Sequence, residues 1–594
     1  MAPALLLDVS PAPRLSKASL ALTPPDTPSS TSPATTPAPL LAPWQAISAQ
    51  KIADREANLQ RHPEWRLASP LDPNVKHVAS YPFSKLTPRE REIVSLDATA
   101  LTELLAIRHY SAVEVATAFC KSAAVAQDLT NCLTEIFFDE ALAQAAELDR
   151  HLQETGKTVG PLHGLPVSIK DHVLLDGKDT STGYASWAYK SVATKDAVVV
   201  SLLRKAGAVF YVKTANPQTL LSLETENNIY GRTTNPFNRT LTPGGSSGGE
   251  SALIACHGSP LGVGTDIGGS IRIPAAHGGL YGLKGSVARL PHAGLLGSHD
   301  GMEAIVGCVG PLATSARDLG LFCRVMLQYE PWYIEPPLLN MPWNDDLANG
   351  KGLPSKLCFA LLSDDQVVLP HPPIRAALEC TKQALLAAGH EVVEWKPMDH
   401  QQAWDLIAKL YLLDGGREYY ETMAESGEPP VTMSKWILDH ANGREPYTVA
   451  ETFRLNADRE AFRARCMAHW NATAGVTSTG RPVDAILCPV APTLAPPHGT
   501  TRWWGYTSYW NLVDYPSVVF PTGHLSSEDF STSRAAELPI APARNDIERY
   551  IRDQWSPQTY NGAPIALQLV GRRHEEEKLL GVLGRLEDAI RTHS

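Results

Sequence analysis

The sequence lacks any long apolar run, since nowhere among its 594 residues do 18 or more apolar residues follow one another. A helix needs about 20 such residues to cross a bilayer, so no integral membrane span is expected. The apolar stretch from Met1 to Leu7 is short, has no basic leader and is followed by Asp8, which argues against a signal peptide. We therefore expect a cytoplasmic protein.

An excess of positive charge is also missing. Lys and Arg total 52 against 63 Asp and Glu, which gives a formal net charge of -11. Nucleic acids and anionic membranes attract clusters of Lys and Arg, so neither is an expected partner. The nine cysteines are odd in number and form no Cys-x-x-Cys pair, which is the thiol usage of a reducing compartment.

Composition divides the chain into three parts. Residues 1–43 are dominated by Pro, Ala, Ser and Thr, which cannot bury enough apolar area to offset the entropy of ordering, and predict a disordered tail. Residues 44–95 carry helical signals and predict an extension that packs on the core. Residues 96–594 are expected to form one large domain.

Within this domain, helical and β-type segments alternate. Predicted helices follow Asp97 as an N-cap and Ser111 with Glu114 as a capping box. The predicted strands 166–169 and 208–213 flank a helical stretch near 197–206, which indicates β-α-β winding. Further strands are predicted at 357–362, 391–395, 485–490, 517–521 and 565–570, with a terminal helix near 575–591. The pattern predicts an α/β fold with a large mixed twisted sheet and helices on both faces.

The segment from Thr242 to Gly285 holds 13 glycines among small residues, so the backbone there must approach something closely. One interpretation is a phosphate loop, because Gly244 and Gly249 have the GxxxxG spacing. However, Glu250 stands where such loops have lysine, and a carboxylate would repel the phosphates.

A second interpretation is the nucleophile elbow of α/β-hydrolases, because Ser246 lies between Gly244 and Gly248. In those enzymes a hydrophobic strand leads directly into the elbow. Here residues 236–243 are polar and contain two prolines, so no buried strand leads into Ser246. The order of the motifs is also wrong, since the possible oxyanion stretch at His277 follows the serine instead of preceding it.

A third interpretation covers more of the chain. The segments 164–171 (GLPVSIKD), 242–250 (TPGGSSGGE) and 264–274 (GTDIGGSIRIP) occur in order, and Ser270 lies 24 positions after Ser246. Together they resemble the amidase signature family, and later segments look like its eukaryotic acetamidase and fatty acid amide hydrolase branch. The resemblance covers roughly Pro82 to Ile590.

The resemblance implies an amide hydrolase without cofactor or metal, whose catalytic part is residues 96–594. It places the nucleophile on Ser270, a bridging serine on Ser246 and the general base on Lys170, acting through an acyl-enzyme. Lysine normally titrates near pH 10.4, so Lys170 must be desolvated or lie near positive charge to be neutral at pH 7.

The resemblance also implies the groups that contact the substrate. The backbone N–H groups of Ile267, Gly268, Gly269 and Ser270 would stabilise the oxyanion, and a cis peptide bond would join Gly245 to Ser246. Asp266 and Arg272 are expected to order this loop. The residues implied to bind the substrate are Ile267, Gly268, Gly269 and Ser247.

Two departures from the family pattern lie just beyond Ser270. His277-Gly278 stands where an aromatic residue and cysteine are more usual, and Gly285 stands where proline is usual. A lone histidine has no role in a Ser-Lys scheme, so His277 is expected to be structural.

The substrate remains open at this point: a small-molecule amide, a lipid amide or a secondary-metabolite amide. A noncatalytic subunit similar to the glutaminyl amidotransferase is a further alternative, and a homodimer is a compatible assembly. Seven aromatic residues are candidates for the acyl pocket: Trp187, Tyr189, Trp503, Trp504, Tyr506, Tyr509 and Trp510.

Overall fold

The computed structural model describes residues 42–532 and 542–593. The predicted tail therefore lies outside the described residues, apart from its last two positions. The strands are β1 Leu133–Ile136, β2 Pro166–Lys170, β3 Val209–Thr214, β4 Glu226–Asn227, β5 Gly231–Arg232, β6 Leu261–Asp266, β7 Tyr281–Lys284, β8 Cys308–Ala313, β9 Cys358–Leu361, β10 Glu391–Glu394, β11 Ala485–Pro489, β12 Ser517–His524 and β13 Pro564–Val570.

Helices connect and cover these strands. They are α1 Pro43–Leu59, α2 Pro88–Ser95, α3 Ala98–Ala106, α4 Ala112–Thr130, α5 Phe138–Thr155, α6 Val198–Lys205, α7 Gly248–Ala255, α8 Arg272–His277, α9 Ala316–Leu327, α10 Asp345–Ala348, α11 Pro372–Ala387, α12 His400–Tyr411, α13 Arg417–Ala424, α14 Thr432–Leu438, α15 Val449–Ala472, α16 Gly505–Leu512, α17 Ser527–Thr532, α18 Asp546–Asp553 and α19 Glu576–His593. Short 3-10 helices occupy Pro63–Trp65, Tyr81–Lys85, Pro331–Tyr333, Asp439–Ala441 and Thr473–Gly475.

The predicted helix starts are confirmed by their caps. Asp97 accepts the Ala100 N–H at the start of α3. At the start of α4 the Ser111 hydroxyl accepts the Glu114 N–H, and the Glu114 carboxylate accepts the Ser111 N–H. Each such cap satisfies donors that the first helical turn leaves free, and an N-cap contributes about 1 kcal/mol.

Eleven of the described strands form one mixed sheet in the order β1-β3-β2-β6-β8-β7-β12-β13-β11-β9-β10. The pairs β2–β3, β2–β6, β11–β9 and β10–β9 are parallel, and the remaining neighbours are antiparallel. The predicted β-α-β unit is β2-α6-β3, with β2 and β3 adjacent. The predicted α/β fold with a large mixed sheet is thus confirmed.

Both faces of the sheet are covered, because successive residues of the strands enter two different hydrophobic cores. Leu487 and Val518 belong to one core, and their chain neighbours Ile486 and Val519 belong to the other. This follows from the two-residue period of a strand. Full burial of one such side chain contributes about 1.5–3 kcal/mol.

Helix α1 and the segment that follows it pack on the first of these cores. Leu59, Trp65 and Ile93 lie in the same cluster as Val167 of β2. Within residues 42–532 and 542–593, the helices all fall short of the length and apolar character that a bilayer crossing requires.

Strand β6, Leu261–Asp266, is a fully buried central strand that the sequence analysis did not predict. Its glycines are explained by what lies over them. A methyl group on Gly262 would lie 2.1 Å from the Glu250 carboxylate, and one on Gly264 would lie 2.6 Å from Leu312. The backbone is therefore extended, and the missing side chains make room for α7 and β8.

The fold brings the three motifs of the sequence together at the carboxyl ends of β2 and β6. These strands are parallel neighbours, with Ser168 of β2 opposite Gly262 of β6. Lys170 ends β2, and the chain leaving β6 turns through residues 267–271 into α8. Parallel strands of open α/β sheets carry their functional loops at this end.

Candidate active site

Lys170 is the last residue of β2 and is fully buried. On the same strand Val167 and Ile169 enter the hydrophobic core, so the strand's alternation turns Lys170 to the opposite face. Its Nζ lies 2.8 Å from Ser246 Oγ and 2.9 Å from Thr265 Oγ1. Burial lowers the pKa of Lys170 to about 7, although the negative charges of Asp266 and Glu250 oppose this shift.

Ser246 lies in the loop before α7 and is 2% exposed. The Gly245–Ser246 peptide bond is cis, as the resemblance implied. Both preceding glycines are required by their surroundings. Gly244 has a φ of +88°, and a methyl group on Gly245 would lie 2.6 Å from the backbone nitrogen of Glu224. The loop backbone is thus packed tightly enough to fix the position of the Ser246 hydroxyl.

Ser270 lies in the turn between β6 and α8 and is 4% exposed. Its carbonyl accepts the N–H of Ser247 at 3.1 Å, which ties the Ser270 turn to the Ser246 loop. Ser247 is itself fully buried, and its hydroxyl contacts the Thr265 backbone at 3.4 Å. Ser247, implied by the resemblance to bind substrate, is therefore engaged in joining the two loops.

Asp266 and Arg272 form a fully buried ion pair at the base of the Ser270 turn. The Asp266 carboxylate accepts the N–H groups of Gly269 at 2.8 Å and Ile271 at 3.1 Å. Burial disfavours the charged carboxylate, yet the Arg272 guanidinium, with the charge of Lys284 and a hydrogen bond from Asn511, holds the pKa of Asp266 well below its usual range. The ion pair thus keeps the turn in one conformation, which agrees with the ordering role expected from the sequence.

The carbonyl groups of the turn are held from the other side. The Tyr411 hydroxyl at the end of α12 donates to the Ile267 carbonyl at 2.7 Å, and the Thr507 hydroxyl on α16 donates to the Gly268 carbonyl at 2.7 Å. In a trans peptide the N–H points opposite to the C=O, so both contacts set the direction of an N–H group.

Not all four implied oxyanion donors are available. The Gly269 N–H is used by Asp266. Within the two described stretches of the chain, the N–H groups of Ile267, Gly268 and Ser270 have no acceptor. These three N–H groups are therefore available to donate hydrogen bonds to a developing oxyanion.

Glu250, which argued against a phosphate loop, lies beneath the site. Its carboxylate accepts hydrogen bonds from the hydroxyls of Ser168 and, at 2.8 Å, Thr214. Burial raises the pKa of Glu250 to about 7, against the lowering effect of these hydroxyls. This residue links α7 to β2 and β3 and leaves no cradle for a phosphate.

Of the seven aromatic candidates for the acyl pocket, the structure places Trp504 beside the oxyanion turn. A methyl group on Gly268 would lie 3.4 Å from the Trp504 ring. Trp503 donates to Asp365, Tyr506 donates to the Val368 carbonyl, and Tyr509 stacks on His400. These three, with the fully buried Trp510, are occupied in packing the second core, and Tyr189 is half exposed.

The two departures from the family pattern, His277 and Gly285, lie at the end of α8 and just after β7. His277 is buried at the end of α8, and neither of its ring nitrogens has a hydrogen-bond partner among the described residues. Burial lowers the pKa of His277 to about 3, so the ring is neutral. Gly285 follows β7, and a methyl group there would meet only Glu576, at 3.7 Å.

Sequence reasoning missed His172, Tyr411 and Thr507, and gave Thr265 no role. Thr265 lies within a recognised motif and His172 directly follows another, so their closeness to Lys170 and Ser270 in the sequence was the available signal. Tyr411 and Thr507 are separated by 144 and 239 residues from the carbonyls they bind, and no local pattern marks them.

Comparison with known proteins agrees with this geometry. The family model described as Amidase matches residues 114–580. The chain is 40% identical to an acetamidase of Aspergillus oryzae over 548 residues, covering 91% of this chain and 98% of that protein. It is 39% identical to an acetamidase of Emericella nidulans over 544 residues, covering 91% and 97%.

A solved structure named fatty acid amide hydrolase superposes with a TM-score of 0.84 at 34% identity, covering 92% of this chain and 95% of the other. The family model spans well over half of the chain, and the relatives are matched over nearly their whole length. The chain therefore belongs to the amidase family and is a hydrolase that acts on amide C–N bonds.

Proposed function

We propose that the chain hydrolyses a small-molecule carboxylic amide to a carboxylate and ammonia or an amine, with Ser270 as nucleophile, Ser246 as bridge and Lys170 as base. The observation that supports this most strongly is the position of Lys170. Its buried Nζ lies 2.8 Å from Ser246 Oγ, and its pKa of about 7 allows it to be neutral under ordinary conditions.

In the proposed cycle, neutral Lys170 takes the proton of Ser246, which takes that of Ser270. The freed Ser270 oxygen bonds to the amide carbon and forms a tetrahedral intermediate. Amide nitrogen is a poor leaving group, so it must be protonated as the C–N bond breaks. Lys170 returns the proton through Ser246 to that nitrogen. Water then hydrolyses the acyl-enzyme by the same relay.

The oxyanion is stabilised in this proposal by the N–H groups of Ile267, Gly268 and Ser270. The Gly268 N–H belongs to the peptide whose Ile267 carbonyl accepts from Tyr411, and the Ser270 N–H belongs to the peptide whose Gly269 carbonyl accepts the Ile273 N–H. Donors that are fixed in advance need no reorganisation when negative charge develops, and loss of one such donor typically costs about 10²–10³-fold in kcat.

For the substrate we propose a short amide. Two observations support it: the acetamidases are similar along almost their whole length, and both serines are nearly inaccessible, at 2% and 4% exposed. The likeness to fatty acid amide hydrolase favours a lipid amide as the alternative, and a secondary-metabolite amide is a further one. A noncatalytic amidotransferase-like role would need no lysine of lowered pKa beside Ser246. A cytoplasmic location and a homodimer complete the proposal.

The test is hydrolysis of acetamide, benzamide, indoleacetamide and oleamide by the purified full chain. We expect turnover of acetamide, its loss in Ser270→Ala and Lys170→Ala, and a fluorophosphonate label on Ser270. Ser122→Ala is the matched control, since that buried hydroxyl on α4 donates to the carbonyl of Cys256 at the end of α7. Undiminished turnover by either catalytic variant, or a label on Ser246, would contradict the proposed mechanism.

A further inference from the structure

A buried histidine adjoins the catalytic lysine. His172 lies two residues after Lys170, and its Nε2 is 2.8 Å from Thr265 Oγ1 while its Nδ1 is 3.3 Å from the Leu296 carbonyl. A carbonyl only accepts hydrogen bonds, so Nδ1 must be the protonated nitrogen of the ring. Nε2 is then an acceptor, and the Thr265 hydroxyl donates its proton to it.

The ring stays neutral, which this assignment requires. Burial lowers the pKa of His172 well below its usual range, and any positive charge on Lys170, on Lys213 or on the neighbouring His292 acts in the same direction. The Leu296 carbonyl opposes the shift, but less strongly than burial favours it. Nε2 therefore keeps its lone pair for Thr265.

The backbone fixes both ends of this contact. The Leu296 N–H donates to the His172 carbonyl at 2.8 Å, and Val173 bridges Leu295. The Thr182 hydroxyl also donates to the Leu296 carbonyl, at 3.2 Å. Thr265 is the fifth residue of the central strand β6, so its own backbone cannot move freely.

The direction of the Thr265 hydroxyl decides what Lys170 can do. Because its proton is given to His172, Thr265 Oγ1 presents only lone pairs to Nζ at 2.9 Å, so Lys170 must donate to it. A neutral amine has two N–H groups and one lone pair. With one N–H held by Thr265, the lone pair is free to face Ser246 Oγ, 2.8 Å away.

We propose that His172, acting through Thr265, is a positioning residue that keeps the lone pair of neutral Lys170 directed at Ser246. The proposal rests on the proposed role of Lys170 as base. Without His172, the Thr265 hydroxyl is free to donate its proton to that lone pair and compete with Ser246. This positioning role leaves the proposed proton path from Ser270 through Ser246 to Lys170 unchanged.

The test compares the wild type with His172→Leu, Thr265→Val, the double variant and His172→Gln. We expect His172→Leu to lower kcat about 10- to 100-fold, the range of a misdirected acid–base group, with KM within about twofold. The acidic limb of kcat/KM should move to lower pH, because a hydrogen bond donated to neutral Nζ favours the uncharged amine. The double variant should be no slower than Thr265→Val, since both residues act on one contact.

Controls separate positioning from damage to the fold. His172→Gln, whose side-chain oxygen can accept from Thr265, should recover part of the lost kcat. His163→Leu replaces a buried histidine that precedes the start of β2, at the end opposite Lys170. It should leave kcat and the acidic limb of kcat/KM unchanged. Thermal unfolding of each variant identifies any that is not folded. If His172→Leu is not folded, the kinetics of Thr265→Val and His172→Gln test the positioning role.

The outcomes are distinguishable from failure of the proposed function. An inactive wild type, or an active Lys170→Ala variant, would overturn the base assignment and this inference with it. If Lys170→Ala is inactive, three results would each overturn only the positioning role. These are a kcat within twofold of wild type in His172→Leu, an unmoved acidic limb, and losses that add in the double variant.

Discussion

The hydroxyl of Tyr411 donates to the carbonyl of Ile267 at 2.7 Å and thereby sets the direction of the Gly268 N–H. Tyr411→Phe removes this donor and leaves a buried carbonyl unpaired. We expect kcat to fall about 10-fold, which corresponds to about 1.4 kcal/mol of transition-state stabilisation, with a smaller change in KM. Steady-state kinetics on the preferred amide measure both constants.

Tyr506→Phe is the matched control for this prediction. The Tyr506 hydroxyl also donates to a buried carbonyl, that of Val368 at 2.8 Å, but away from the oxyanion turn. The Tyr506 hydroxyl also accepts the Asp365 N–H, so Tyr506→Phe should lose at least as much stability as Tyr411→Phe, and only Tyr411→Phe should lose kcat. Equal turnover by the two would show that the Tyr411 contact does not direct a catalytic N–H.

The pH dependence of kcat/KM should report Lys170. Because the base must be neutral and its pKa is about 7, activity should rise with pH through 7 and level off above about pH 8. Below pH 7 it should fall about tenfold per pH unit, as the protonated fraction grows. Lys170→Arg retains a permanent charge and should be inactive throughout. A limb near pH 10 would mean that Lys170 is not desolvated in the free enzyme.

Local patterns predicted most of the fold, and the resemblance to the amidase signature family supplied Lys170, Ser246 and Ser270 as candidate catalytic residues. The apolar run before Lys170 indicated a buried strand, and the caps at Asp97 and Ser111 located two helices. Strand β6 was not predicted, because glycines at alternate positions give no alternation of apolar and polar side chains. The space above these glycines is filled by Glu250 and Leu312. A hydrophobic pattern depends on the side chains of the strand itself, whereas a glycine-containing strand is buried by the side chains that pack over it.

The remaining parts of the site depend on long-range packing. Trp504 directly precedes helix α16, and Trp510 lies within that helix. Trp504 borders the oxyanion turn, whereas Trp510 packs in the hydrophobic core. The sequence makes them equivalent candidates, because the side each faces depends on how α16 packs on α12. The contact of Tyr411 with the oxyanion turn could not be predicted from the sequence for the same reason.

The buried Asp266–Arg272 pair should be the most sensitive ionic contact for stability. Arg272→Met leaves the Asp266 carboxylate buried without its cation, and we expect a loss of about 3–5 kcal/mol. Arg317→Met is the comparison, since Arg317 pairs with Asp97 from a side chain that is 55% exposed, and the expected loss is at most about 1 kcal/mol. Urea unfolding measures both, and equal losses would contradict a stabilising role for the buried pair.

His277→Phe should stabilise the protein, and more so in acid. The folded pKa of His277 is about 3 against an ordinary value of 6.5, so the unfolded chain binds a proton that the folded chain refuses between these values. Stability is therefore lost as pH falls below 6.5, by about 2 kcal/mol at pH 5. Phenylalanine cannot titrate and has no ring nitrogens to leave unpaired.

The measurement is the free energy of urea unfolding for wild type and His277→Phe at pH 5 and pH 8. The difference between the two proteins should be larger at pH 5 by about 2 kcal/mol, because only the wild type has this histidine to protonate on unfolding. His440→Phe, at an exposed ring, is the control for replacing a histidine by phenylalanine. A difference that is the same at both pH values would mean that His277 accepts a proton in the folded state.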